Sequence, residues 1–287
     1  CSHFGKTPPC ADLLIEKKVG RVVIGMTDPN PQVAGRGIAR LRDAGIDVTT
    51  GVLQDACQHL NRFFAKHVVE GVPYVVLKAA QSLDGCIATA SGQSVWITGE
   101  ASRRRVHEQR SELDAVLVGA NTVRRDDPEL TVRLVEGRNP IRIVLDPLLR
   151  LPTHRKIFSV PLLARTIVVC AEQVADSDSA RELTGRGVEL LLIDSDETGG
   201  LLPDDIVRAL GARGIASVLV EGGAAVHSSF LRAGVVDELQ LFYAPLVIGN
   251  GLHTFGQIST DALEEVQRFH VKSVEQIESD VLITLVR

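Results

Sequence analysis

Residues 78–99 read KAAQSLDGCIATASGQSVWITG and follow directly on the apolar run Tyr74-Val75-Val76-Leu77. The run is rich in β-branched and aromatic residues, which predicts a buried strand. It breaks at Ser82-Leu83-Asp84-Gly85, where Asp-Gly marks a turn. Small and hydroxylated residues then lead to Trp96, the single tryptophan of the chain. A strand that ends in small residues lets a flat ligand approach the backbone, and a tryptophan on the next loop covers it. Pockets favour loops at strand ends. A strand and turn with a packing tryptophan would look the same, so the stretch nominates a site without settling one.

Downstream, Glu100 to Ser111 predicts a helix capped by Thr98 or Gly99. Its Arg103-Arg104-Arg105 cluster is expected to form a solvated face, while Arg110, one to two turns further on, can face inwards. Asp114 to Gly119 predicts a strand. Asn121-Thr122-Val123 then leads to Asp126-Asp127-Pro128-Glu129-Leu130-Thr131-Val132-Arg133, a polar loop expected directly after a strand, a common place for a ligand site. Further strands are expected at 142–145, 166–170 and 188–193, with a helix over 203–211. Ser217 to Val220 predicts a strand that ends in Glu221-Gly222-Gly223, with a helix over 224–232. Strand, Gly-Gly turn and helix together let backbone N–H groups meet a phosphate. The Gly-x-Gly-x-x-Gly fingerprint is not met. Strands are expected at 238–243 and 269–287, the last stretch folded into a hairpin at Glu278-Ser279-Asp280.

Upstream, Pro8-Pro9 fixes the backbone before Cys10 and can start a helix over 11–18. Cys1 and Cys10 read either as two ligands of one zinc or as ordinary loop cysteines. A strand at 21–26, the loop Asp28-Pro29-Asn30-Pro31, a helix at 37–44, a strand at 46–50 and one helix over 55–69 follow. Alternating strands and helices predict a parallel α/β layer, and Gly71-Val72-Pro73 is a plausible domain boundary.

The 287 residues are enough for two domains. No apolar run approaches a membrane span. A net charge of −5 leaves no basic footprint for nucleic acid and no polybasic membrane segment. Five sparse cysteines argue against a disulfide framework and for a reducing, cytoplasmic setting. The chain begins at Cys1 with no secretory signal behind it, so a fragment of a longer polypeptide is expected.

Residues 1–72 resemble the C-terminal part of a cytidine-deaminase-like α/β domain. The likeness lies in Cys1, Gly5-Lys-Thr-Pro-Pro-Cys10, Asp28-Pro-Asn-Pro31 and Val33-Ala-Gly35. Residues 73–287 resemble a dihydrofolate-reductase-like α/β domain. That likeness lies in Lys78-x-Ala-x-Ser-Leu-Asp-Gly85, Gly92-x-Ser-x-Trp-Ile-Thr98, Asp114-Ala-Val-Leu-Val-Gly119, Asn121-Thr-Val123 and Asp126-Asp-Pro-x-Leu-Thr-Val-Arg133. It continues through Pro140-x-Arg142, Glu221-Gly-Gly223, Val236-Asp-Glu238 and Ala244-Pro245. Together they resemble the bifunctional riboflavin-biosynthesis deaminase/reductase family.

The resemblance implies reduction of 5-amino-6-(5-phosphoribosylamino)uracil with NADPH, in a longer parent that also deaminates the diaminopyrimidine precursor. It implies cofactor contacts at Ala80, Trp96, Thr122, Asp126 and the run Gly223, Ala224, Ala225, Val226, His227, Ser228 and Ser229. It implies substrate contacts at Ser94, Arg110, Leu130, Arg133 and Glu221, with both arginines available to the substrate phosphate. Zinc would sit on Cys1 and Cys10 with a third ligand from a His-x-Glu motif, which this sequence lacks. A phosphorylated pyrimidine as small-molecule substrate and a homo-oligomeric assembly are also implied. Pro147 stands where the family often has serine, removing a hydroxyl from the cofactor side. Cys86 replaces a common basic residue. Two rival readings stay open: a non-catalytic nucleotide-binding relative, and a chain whose only activity is pyrimidine deamination.

Overall fold

The structure is a computed structural model that describes residues 8–31, 33–159, 161–196 and 199–287. The chain divides between Pro73 and Tyr74 into two units. The first holds α1 (Cys10–Glu16), β1 (Arg21–Ile24), α2 (Arg36–Asp43), β2 (Asp47–Thr50), α3 (Gln54–Leu60) and α4 (Arg62–Glu70). β1 and β2 pair in parallel, with Arg21 opposite Asp47. Buried Ala11, Leu41 and Ile46 pack with Leu14, Ile15, Val22 and Val48 to join helices and strands. The single helix expected over 55–69 is two helices broken at Asn61. The Asn61 amide donates to the Cys57 carbonyl at 2.8 Å, beside its own backbone N–H at 3.1 Å. A short polar side chain that bonds its own backbone competes with helix propagation. α1 stops at Glu16, two residues earlier than expected, where Lys18 turns to φ +53°.

The second unit continues with β3 (Tyr74–Gln81), β4 (Cys86–Ala88), α5 (Glu100–Glu112), β5 (Ala115–Gly119), α6 (Ala120–Asp126), β6 (Ile141–Leu145), β7 (Thr166–Ala171), α7 (Asp178–Gly185) and β8 (Glu189–Ile193). It ends with α8 (Pro203–Ala212), β9 (Ser217–Val220), α9 (Ala224–Arg232), β10 (Glu238–Tyr243), β11 (Leu252–His253), β12 (His270–Ile277) and β13 (Asp280–Val286). Among the described residues its main sheet has nine strands, ordered β12-β13-β10-β3-β9-β5-β6-β7-β8. From β10 to β8 the pairs are parallel, and β12–β13 is an antiparallel hairpin on one edge. β5, β7 and β9 are buried along their whole length. Continuous apolar runs of that kind belong to parallel strands covered on both faces. α6 and α7 are not expected from the sequence; α7 is capped by Ser177, whose Oγ accepts the Ala180 N–H.

Register brings the ends of β9, β5 and β6 together beside the middle of β3. Leu77 of β3 and Leu117 of β5 both lie beside Val220 of β9, and Gly119 of β5 lies beside Leu145 of β6. Two glycines make this convergence possible. A Cβ at Gly222 would lie 3.2 Å from the Gly119 nitrogen and 3.1 Å from Val226 Cβ, and one at Gly119 would lie 2.8 Å from Val226 Cγ2. Parallel α/β sheets bind ligands in the crevice outside the carboxyl ends of their strands, and this unit opens its large cleft there.

Candidate active site

The cleft in the second unit measures about 1560 Å³. At its centre Arg110 of α5 meets Glu221, the residue just past β9. Arg110 Nε and Nη2 donate to Glu221 Oε1 and Oε2 at 2.6 and 2.8 Å, and Nη1 donates to the Thr131 carbonyl at 3.2 Å. The two side chains are 12% and 9% exposed. Burial by itself would raise the Glu221 carboxyl; Arg110, with help from Lys78 and His107, outweighs it and holds Glu221 at about 2. Burial opposes the Arg110 charge, but Glu221 more than restores it, so its value is raised. The arginine expected to reach a substrate phosphate thus has its fork committed to Glu221 and Thr131.

Lys78, at the carboxyl half of β3, lines the same wall. Burial lowers its ammonium below the usual lysine range, with Glu221 pulling it up and Arg110 pushing it down. Its Nζ stands 5.8 Å from the centre of the Phe242 ring.

The loop after α6 is fastened at several points. Leu130 is buried and takes φ +54°. The Arg133 N–H donates to His107 Nδ1 at 3.0 Å. Burial, then Arg110 and Arg133, push His107 down to about 4, so its ring stays neutral and able to accept. Arg133 itself is 51% exposed and pairs with Glu129 at 2.9 Å. Under the loop lies Arg142 of β6, fully buried, donating to the carbonyls of Glu129 at 3.2 Å and Ala164 at 3.0 Å and to Thr166 Oγ1. Burial lowers its guanidinium to about 10, with Glu129 opposing.

The other nominated residues mostly share the cleft. Ser94, Ala80, Trp96, Thr122, Asp126 and Leu130 line it, as do Gly223, Ala224, Ala225, Val226, His227 and Ser229. Ser228 does not; it is fully buried behind the helix start, and its hydroxyl has no partner among the described residues. His227 is buried with both ring nitrogens lacking a hydrogen-bond partner among the described residues, and burial followed by Lys78 pushes it down to about 3. Burial raises the Asp126 carboxyl against the pull of Arg125. Trp96 is 71% exposed at the rim, with the Arg103 guanidinium 4.5 Å from its ring centre. Arg103 therefore departs from the solvated face expected of the arginine cluster: it donates to the Thr98 carbonyl at 2.9 Å and lines the cleft. Lys78, His107, Arg103 and Arg142 are the residues that sequence reading did not nominate. For Lys78 a signal existed, a lone cation directly after the apolar run Tyr74–Leu77. For His107 and Arg142 the decisive contacts come from distant segments.

The zinc expected on Cys1 and Cys10 falls partly outside the described residues. Cys1 lies outside them, as do Gly5, Lys6 and Thr7; Cys10 is exposed, and the described residues hold no group of three or more His, Cys, Asp or Glu side chains able to take a metal. No helix among them is long and apolar enough to cross a membrane.

The family described as RibD C-terminal domain matches residues 73–283. The chain belongs to the RibD family. The riboflavin biosynthesis protein RibD of Aquifex aeolicus is 39% identical over 284 residues, covering 99% of this chain and 77% of that one. RibD of Escherichia coli is 39% identical over 305 residues, covering 100% and 79%. Among solved structures, a diaminohydroxyphosphoribosylaminopyrimidine deaminase/5-amino-6-(5-phosphoribosylamino)uracil reductase from Thermotoga maritima superimposes with a TM-score of 0.87 at 40% identity, covering 100% of this chain and 76% of that one. The chain thus carries a RibD reductase domain of riboflavin biosynthesis on an α/β fold.

Proposed function

We propose that the cleft reduces 5-amino-6-(5-phosphoribosylamino)uracil, the substrate named for the Thermotoga maritima protein, to its ribitylamino counterpart with NADPH. The observation that carries this reading is the buried Arg110–Glu221 pair, just past the end of β9, beside Lys78 in the carboxyl half of β3.

The residues present fit a dinucleotide. Gly222 and Gly223 keep the approach to the nine-residue helix α9 free of side chains, so the first N–H groups of the helix are open to a pyrophosphate. Ala80, Trp96, Thr122 and Asp126 would hold the remainder. When bound, the nicotinamide supplies a hydride to the former anomeric carbon.

The other chemistry belongs to the chain. Opening the ribose ring breaks the C1′–O4′ bond, leaves the electron pair on O4′ and creates a C=N bond with positive charge. Lys78 Nζ, with its lowered affinity for a proton, delivers one to O4′. Ionised Glu221 stabilises the positive charge that develops, and Arg110 keeps Glu221 ionised and aimed. Arg133, the more exposed of the two arginines, takes the substrate phosphate, with Ser94 and Leu130 shaping the wall. Deamination is assigned to a polypeptide that also carries a His-x-Glu segment.

NADPH deuterated twice at nicotinamide C4 tests the reading. The product is expected to carry one deuterium at the sugar C1′. Unlabelled product, or none, would contradict it.

A further inference from the structure

α5 grips the backbone of the Glu129–Leu134 segment at three points. Arg104 Nη1 donates to the Leu134 carbonyl at 3.3 Å, His107 Nδ1 accepts the Arg133 N–H at 3.0 Å, and Arg110 Nη1 donates to the Thr131 carbonyl at 3.2 Å. Positions 104, 107 and 110 are three apart, so they lie along one side of the helix, and they meet the segment in reverse order. Two further side chains complete the hold. Asn139 Oδ1 accepts the Val132 N–H at 2.8 Å, and Arg142 Nη1 donates to the Glu129 carbonyl at 3.2 Å. Each of these bonds joins a backbone group of the segment to a side chain from elsewhere. Leu130 sits inside the strip at φ +54°, a conformation that persists where its surroundings over-determine it.

We propose that His107 is a positioning residue for the reduction: its Nδ1 fixes the Arg133 backbone and thereby aims the Arg133 guanidinium at the substrate phosphate. This rests on the assignment of that phosphate to Arg133 made above. Three observations carry it. The first is the chemistry of the grip. The Arg133 N–H needs an acceptor, in a place that feels the charges of Arg110, Arg133 and Lys78 against Glu221. Lysine or arginine would bring donors alone, and a carboxylate would compete with Glu221 for Arg110. A neutral imidazole accepts through one nitrogen and adds no charge.

The second is the state of Arg133 itself. Its Nη1 donates to Glu129 Oε2 at 2.9 Å and to Thr131 Oγ1 at 3.0 Å. Its Nε and Nη2 have no partner among the described residues, and the side chain lines the cleft. One edge of the fork is therefore held while the other stays open to a phosphate. A guanidinium fixed at its backbone and at one edge loses less freedom on binding than a loose one. The third is the place of His107 among the three grips. Arg104 is exposed, and Arg110 spends two of its nitrogens on Glu221. His107 is 7% exposed and is the one bonded to Arg133 directly.

The test is steady-state NADPH oxidation with 5-amino-6-(5-phosphoribosylamino)uracil by wild type, H107L, H107Q, H107N, R133A and the H107L/R133A double variant. Circular dichroism controls for folding, and NADPH titration controls for the cofactor side. Asparagine carries its oxygen two bonds from Cβ, where the imidazole carries Nδ1. Glutamine carries its amide one atom further out, nearer the place of Nε2, and leucine carries neither. H107L and H107Q are expected to raise KM for the pyrimidine several-fold, up to the roughly tenfold expected of R133A. Turnover number and NADPH affinity should hold, and H107N should recover most of the loss. Because His107 acts through Arg133, the double variant should be no worse than R133A.

Additive losses in the double variant overturn the proposal, since a contact of its own or a packing role would add to R133A. Recovery by H107Q and not by H107N overturns it by moving the role to Nε2. An unchanged KM in folded H107L, with KM raised in R133A, overturns it and leaves Arg133 on the phosphate. An unchanged KM in R133A removes that assignment and this inference with it. Absence of NADPH oxidation by wild type overturns the reductase reading as well.

Discussion

Each of the two units contains an arginine–carboxylate pair joining segments distant in sequence. In the first, Arg21 and Asp47 approach to 3.7 Å on β1 and β2, with side chains 65% and 71% exposed. In the second, Arg110 and Glu221 meet at 2.6 Å in the cleft, nearly closed off from solvent. The exposed pair sits on strands made only of exposed and half-buried residues, over a small apolar cluster. The enclosed pair sits against a sheet whose inner strands are buried throughout. Taking two charges out of water costs several kcal/mol per ion. Fully buried aliphatic side chains contribute about 1.5–3 kcal/mol each, so only the larger core can bear that cost. The second unit spends stability to hold a charged constellation ready, and the first has no comparable reserve.

The largest expected effect comes from breaking the enclosed pair. Glu221→Gln leaves the Arg110 charge buried without its partner and should lower the stability of the second unit by about 3–5 kcal/mol. Arg21→Ala should change stability by about 0.5 kcal/mol or less, as for exposed pairs in general. Urea unfolding followed by Trp96 emission, which reports on the second unit, measures the first change, and far-ultraviolet circular dichroism covers both. Similar small shifts for the two substitutions would erase the contrast.

Acid should find the second unit next. His227 at about 3 and His107 at about 4 lie below the ordinary value of 6.5. The unfolded chain therefore binds more protons between those limits. Stability is full above about 6.5 and falls as the pH drops towards the folded values, by up to roughly 1.4 kcal/mol per pH unit for each histidine. Urea midpoints taken between roughly pH 7 and pH 5 should decline, and His227→Leu should flatten the decline. A wild-type midpoint that does not move over that range contradicts the buried neutral rings.

The smallest change sharpens the contrast inside the cleft. Arg133 is half-exposed, so Arg133→Ala should cost about 0.5 kcal/mol or less in stability while raising the KM for the phosphorylated substrate roughly tenfold. NADPH binding should hold. An unchanged KM in a folded variant would remove the substrate phosphate from this loop.

Much of the fold is legible where local chemistry and tertiary demand agree. β9, α9 and β10 fall at the residues expected, because an apolar run, a Gly-Gly break and a charged strand start punctuate them. Legibility fails where one side chain redirects the backbone, as Asn61 does, or where an element is too short for periodicity, as in β4 and β11. The cleft shows the same division. Motifs nominate Arg110 and Glu221 separately, yet their separation of 111 residues hides that they bind each other. Lys78 stands in the quoted stretch, and its role emerges only when the neighbouring strand places Glu221 beside it. Arg142 reads as one more strand residue until the structure shows it fully buried under the Glu129–Arg133 loop.

The central claim is that the cleft of the second unit performs the reduction, with Lys78 supplying the proton. Steady-state NADPH oxidation in the presence of 5-amino-6-(5-phosphoribosylamino)uracil, run on wild type and on Lys78→Met, tests it most directly. Wild type is expected to oxidise NADPH only when the pyrimidine is present. The variant, which keeps the stem of the side chain and loses its charge, is expected to bind NADPH normally with kcat at least about a hundredfold lower, the usual contribution of a positioned acid. Equal kcat in wild type and variant would contradict the account.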